Sequence, residues 1–197
     1  MDIVNIFPTP IGLVDIEYQF TSKQKEFFLN VDRENNIGNQ GSVNRNILDE
    51  KILEGFKYEI TKKLNIYFKK IYVPEKNVSL RITQSWLNYT EMGGFHHTHH
   101  HRNSFISGVY YIQTTENDKI MFFSDIKNIF SIDPQEYNIW NSEIYWMPCK
   151  EKSLILFPSS LNHSVEPVEK GLRISLSFNT FLVGELGDKL KSNELIL

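Results

Sequence analysis

The hydrophobic period of this chain changes once, near residue 78, and that switch limits its fold more than any other feature. From Ser79 onward side chains alternate every second residue, the period of a strand. Leu80, Ile82, Gln84, Trp86 and Asn88 take one face, and Arg81, Thr83, Ser85, Leu87 and Tyr89 the other. Further strand-like runs follow at 105–113, 119–124, 143–147, 153–157 and 172–181. Turn signals at Gly93-Gly94, Glu116-Asn117-Asp118, Pro148, Pro158 and Gly171 separate them. Upstream the period is helical. Ser22 is placed to cap a helix running to about Val31. Asp49 is placed to cap a longer one, whose apolar residues Ile52, Phe56, Ile60, Leu64 and Phe68 recur every four positions. Leu53, Tyr67 and Ile71 widen that stripe, and Pro74 ends it. Segment 6–11, broken by Pro8 and Pro10, is an edge strand at most, and 38–46 is a polar loop. Strands in series with helices only upstream predict a mainly β, antiparallel sandwich or barrel. We read one domain over 1–197, with packing helices in 1–77 and the β core in 78–183.

Composition narrows the function classes. A net charge of -3 offers no basic footprint for nucleic acid. Cys149 is the single cysteine, which excludes an internal disulfide and a cysteine-rich zinc site and suits a reducing cytoplasm. The first residues carry Asp2 and no Lys or Arg, unlike a signal peptide, and no apolar run is long enough to span a bilayer.

The histidines carry the chemistry. Five of the six lie between His96 and His101, and the sixth is His163. Imidazole is the commonest side-chain metal ligand. Residues i and i+2 of a strand share a face, so His99 with His101, or His97 with His99, can address one ion. A third ligand must come from another strand, and His163 follows the apolar run at 154–157. Three protein ligands leave coordination positions open, as catalysis requires. Ten residues after His163, Arg173 shares a strand face with Ser175. A guanidinium fork with a hydroxyl beside it grips a carboxylate. The apolar flanks Leu172, Ile174, Leu176 and Phe178 mean that this Arg needs a partner.

These residues resemble a known family. Ser107-Gly108-Val109-Tyr110-Tyr111, preceded by His99-His100-His101-Arg102-Asn103-Ser104, is similar to 2-oxoglutarate- and Fe(II)-dependent oxygenases common in phages and marine bacteria. So are Leu154-Ile155-Leu156-Phe157-Pro158-Ser159, His163-Ser164-Val165, Arg173 to Asn179, and the opening Phe7-Pro8-Thr9-Pro10-Ile11. Prolyl hydroxylases are more distantly similar. The resemblance implies a double-stranded β-helix (a cupin-like jelly roll), Fe(II), and 2-oxoglutarate consumed with O2 to give succinate and an oxidised substrate. It puts His99 and His163 at metal-ligand positions, and Arg173 with Ser175 at the C5 carboxylate of 2-oxoglutarate. It also implies a phage-encoded protein in a host cytoplasm.

One departure stands out. The wider superfamily has a carboxylate two residues after the first His, and here that residue is His101. Either the site is all-histidine, which admits Zn, Cu or Ni more readily, or Asp125 supplies the carboxylate. Asn88 and Tyr110, with Trp86, are expected to line the cofactor pocket. Loops 38–46 and 125–141 are lid candidates, with Trp140 over the substrate. Two other readings use the same residues: a metal-dependent cupin-type enzyme that does not use 2-oxoglutarate, and a non-enzymatic jelly-roll binding module. The substrate is not legible, and a homodimer is compatible with the fold.

Overall fold

The computed structural model describes residues 1–125 and 132–197. Its elements run β1 (Gly12–Asp15), α1 (Ser22–Asn30), β2 (Arg33–Asn35), β3 (Gln40–Ser42), α2 (Glu54–Tyr72) and β4 (Val78–Glu91). Then follow β5 (His96–His99), β6 (Ile106–Gln113), β7 (Lys119–Phe123), β8 (Ile144–Pro148), β9 (Ser153–Pro158), β10 (His163–Val165), β11 (Leu172–Leu186) and β12 (Leu195–Ile196).

Two antiparallel sheets make the jelly roll. The larger has the order β1-β9-β6-β11-β4-β3-β2, with β12 paired to β11; the smaller has the order β5-β10-β7-β8. The apolar stripe of α2 packs on the outer face of the larger sheet. Phe56, Ile60, Leu64 and Phe68 are buried there with Leu87, Tyr89, Tyr110, Leu176 and Phe178. A second cluster fills the space between the sheets, where Val109, Tyr111, Ile155 and Phe157 meet Ile120 and Phe122. The larger sheet is therefore buried on both faces, which is why β6 and β9 read as nearly unbroken apolar runs.

The helix ends differ from the sequence reading. Thr21, not Ser22, caps α1, in a reciprocal box with Gln24. Asp49 does not cap α2. It closes a 3-10 turn at Ile47–Asp49 and pairs with Lys57, while a second turn at Lys51–Leu53 leads into the helix. Val73 ends α2 in a left-handed conformation, just before Pro74 disfavours a further helical residue. Segment 6–11 forms no strand; β1 begins at Gly12 and holds the edge beside β9. Loop 38–46 contains β3, which pairs with β4 through Gln40↔Tyr89 and Gly41↔Asn88.

Besides the irregularity between β5 and β10 (His163↔His99, then Val165↔His96), two bulges in the larger sheet set which side chains face the inner space. Along β4 and β11 the register runs Asn179↔Gln84 and then Thr180↔Ile82, so Thr83 is the extra residue. Leu80 and Ile82 before it, and Leu87 and Tyr89 after it, consequently pack on the same helix-side core. The alternation expected from sequence is broken at that point. A second bulge, at Ile112, shifts β6 against β11.

Candidate metal centre

Strand pairing assembles the histidines. β10 lies between β5 and β7, and His163 is registered directly opposite His99. Their ring centroids are 4.3 Å apart; His101 stands 5.0 Å from His99 and 5.1 Å from His163. Candidate ligand atoms of His99, His101 and His163 all lie within 4.8 Å of one another, and this is the one such metal-ligating cluster among the described residues. β5 ends at His99, yet His101 keeps its place because its N–H donates to the Ser159 carbonyl (2.9 Å). Ser159 is fixed in turn by hydroxyl contacts with Ser104 (2.7 Å) and Ser107 (2.8 Å), and Ser107 donates to Asn179 Oδ1 (2.8 Å). The Trp86 ring packs 5.6 Å from that of His101.

The ring orientations suit a metal. His99 Nδ1 lies 2.8 Å from the His97 carbonyl and His163 Nδ1 lies 3.0 Å from the Leu161 carbonyl. A carbonyl only accepts, so each Nδ1 carries the proton and each Nε2 keeps a free lone pair. Burial favours the neutral imidazole that a metal needs. It depresses His163 to about 2 and His101 to about 4, neighbouring histidines adding to the effect, and it lowers His99 as well. A neutral, all-nitrogen triad fits a divalent first-row ion, iron included.

Of the alternative ligands, His97 lies outside the triad: its ring sits 5.3 Å from His99 and its Nδ1 is buried without a hydrogen bond. Asp125 is exposed, 3.5 Å from the Asn162 amide, and forms no part of the triad. The described residues therefore bring no carboxylate to the site. His96, whose ring stacks on His99 at 4.4 Å and 21°, faces the same cavity. Burial lowers it to about 3.

The cavity beside the triad is walled by Arg173, Ser175 and Ser177 of β11, Trp86, Asn88 and Thr90 of β4, and Tyr111 of β6. Asn88 donates to Ser177 Oγ at 3.0 Å. Arg173 is 3% exposed and donates to Asp118 Oδ1 at 3.0 Å, with Asp118 equally buried. Tyr110 does not line the cavity. It points to the other face of the sheet, ring to ring with Phe56 at 4.7 Å, because the parity of β6 assigns it to the helix side. Tyr111 takes the inward place. Its hydroxyl is buried beside the Cys149 thiol without a conventional hydrogen bond, and burial pushes both groups well above their usual ranges. Trp140 is exposed and donates to Asn5 Oδ1 at 2.8 Å. Part of the proposed lid 125–141 lies outside the described residues.

Sequence reasoning missed Tyr111 and Asp118. The parity of β6 would have exchanged Tyr111 for Tyr110. No local signal marks Asp118, which ends a turn motif that ordinarily faces water.

Comparisons agree with this geometry. Residues 84–179 match the family model described as "Putative 2OG-Fe(II) oxygenase". That span runs from mid-β4 to mid-β11 and includes the triad and Arg173. No curated protein matches the chain in sequence. A 2OG-Fe(II) oxygenase family oxidoreductase from Burkholderia pseudomallei is 11% identical with a TM-score of 0.59, covering 86% of this chain and 83% of that one. HygX from Streptomyces hygroscopicus, solved with nickel, 2-oxoglutarate and hygromycin B bound, is 9% identical with a TM-score of 0.61, over 87% and 82%. A Trichoplax adhaerens prolyl hydroxylase, in complex with a hypoxia inducible factor peptide, is 12% identical with a TM-score of 0.58, over 87% and 83%. At these identities the neighbours establish a shared jelly roll. Matched core, shared jelly roll and histidine triad fall on the same part of the chain, which over residues 84–179 is similar to the 2-oxoglutarate- and Fe(II)-dependent oxygenases.

Proposed function

We propose that His99, His101 and His163 hold the Fe(II), and that Arg173 and Ser175 receive the distal carboxylate of 2-oxoglutarate. Tyr111 and Asn88 line the same pocket. When bound, Fe(II) supplies the redox chemistry: one O2 is divided between succinate, formed from 2-oxoglutarate with loss of CO2, and a hydroxylated substrate. The chain's own residues bind, orient and exclude water. Three neutral imidazoles on neighbouring strands leave the remaining coordination positions to ligands. The Nδ1–H bonds to His97 and Leu161 carbonyls keep two of those rings from turning. The apolar wall of Val109, Ile120 and Phe157 keeps the cavity dry.

One observation carries this reading: the triad and the buried Arg173 line a single cavity. The cupin-type reading draws on a different one, because the Arg173 charge already has a structural partner in Asp118. Succinate separates the two. The iron-loaded chain, given O2 and 2-oxoglutarate, should release succinate, and His163→Ala should not. An iron-loaded wild type that makes none favours the cupin-type enzyme. We further propose a reducing compartment, consistent with the buried free thiol of Cys149.

A further inference from the structure

Arg173 faces the cavity, whereas Asp118 stands behind it and forms no part of the cavity wall. Both carboxylate oxygens of Asp118 are engaged, Oδ1 by Arg173 (3.0 Å) and Oδ2 by the Thr115 N–H (2.8 Å). Its carbonyl accepts from the Cys149 N–H at 2.8 Å. Asp118 directly precedes β7 of the smaller sheet, and Arg173 lies on β11 of the larger, so the pair ties the two sheets together beside the pocket. Each side chain is only 3% exposed, too buried for water to screen either charge.

The charge balance of the pocket follows. Empty, one guanidinium faces one carboxylate and the base is neutral. With a dicarboxylic 2-oxo acid bound, two carboxylates share that guanidinium and repel each other across it. We propose that Asp118 is a built-in counter-anion: it holds the Arg173 charge while the pocket is empty and competes with the distal carboxylate when the pocket fills. The proposal rests on the assignment of Arg173 to that carboxylate. It makes Asp118 a positioning residue that trades cosubstrate affinity for an empty pocket that stays folded. The product succinate keeps the same distal carboxylate, so its release is eased by the same repulsion.

Asp118→Asn keeps the shape, removes the charge and leaves Arg173 buried without a counter-ion. The test uses the full chain loaded with Ni(II), and compares 2-oxoglutarate with pyruvate, which has the same chelating end but no distal carboxylate. The variant should melt below wild type when empty. It should bind 2-oxoglutarate roughly tenfold more tightly, within the usual range for coupled sites, with a larger upward thermal shift. Pyruvate should bind both proteins alike. Equal or weaker 2-oxoglutarate binding by the variant, or an equal gain for pyruvate, overturns the proposal. A wild type that binds both acids equally well removes the role of Arg173, and the proposal with it. If the variant is recovered only unfolded, its refolding yield with and without succinate decides: recovery by succinate supports the counter-anion, and no recovery overturns it.

Discussion

At the scale of single residues, the site depends on imidazoles kept neutral by burial. His163, His96 and His101 are depressed to about 2, 3 and 4 from an ordinary 6.5. Unfolded, the same rings take up protons as pH falls through 6.5; folded, they do not until pH reaches those lower values. The metal-free chain therefore has its full stability above about pH 6.5 and loses it as pH falls. The loss is about 1.4 kcal/mol per pH unit for each ring that stays neutral. Urea midpoints of the metal-free chain between pH 7.5 and 5 should fall accordingly, and a flat profile would contradict the burial of these rings. The histidines themselves were legible, since a run of five beside a strand is not a random feature and His163 stood out by context. Which of them converge was not legible: His97 and His99 fit the i, i+2 rule as well as His99 and His101 do. Two features decide between the pairs: the backbone bond from His101 to Ser159, 58 positions away in sequence, and the register shift between His163↔His99 and Val165↔His96 that breaks the parity of β5.

At the scale of elements, the two helices and the longer strands from β4 onward are readable from period alone, but not their phase, and the short strands β1, β2 and β3 are not readable. The bulges at Thr83 and Ile112 each shift a strand by one residue, and one residue exchanges faces. The sequence points Tyr110 at the pocket, yet Tyr111 holds that place, because a period of two cannot state its own origin. Caps are ambiguous for a related reason: Thr21 and Ser22 are both good caps, and Gln24 decides in favour of the first. Gly108 shows how little room this packing leaves. A Cβ there would stand 2.3 Å from the Phe178 ring and 2.9 Å from Leu156, both fully buried core side chains. Gly108→Ala should therefore destabilise the chain by about 1–3 kcal/mol through overpacking between β6 and β11. Denaturant unfolding measures it, and a neutral substitution would mean that the Phe178 ring moves freely.

At the scale of the molecule, residues far apart in sequence meet in one cavity because the larger sheet is buried on both sides. One face takes the helices, and the other takes the smaller sheet and the pocket. The sequence announced this architecture through its single change of period. It could not announce the Arg173–Asp118 tie, which joins two sheets whose mutual placement no local pattern encodes. The most direct test of the central claim needs no substrate. Under anaerobic conditions, 2-oxoglutarate should bind the Fe(II)-loaded chain one to one by calorimetry. That binding should be lost in His163→Ala and weakened at least tenfold, about 1.4 kcal/mol or more, in Arg173→Gln. Binding left unchanged by both substitutions, or no binding by the loaded wild type, would contradict the account.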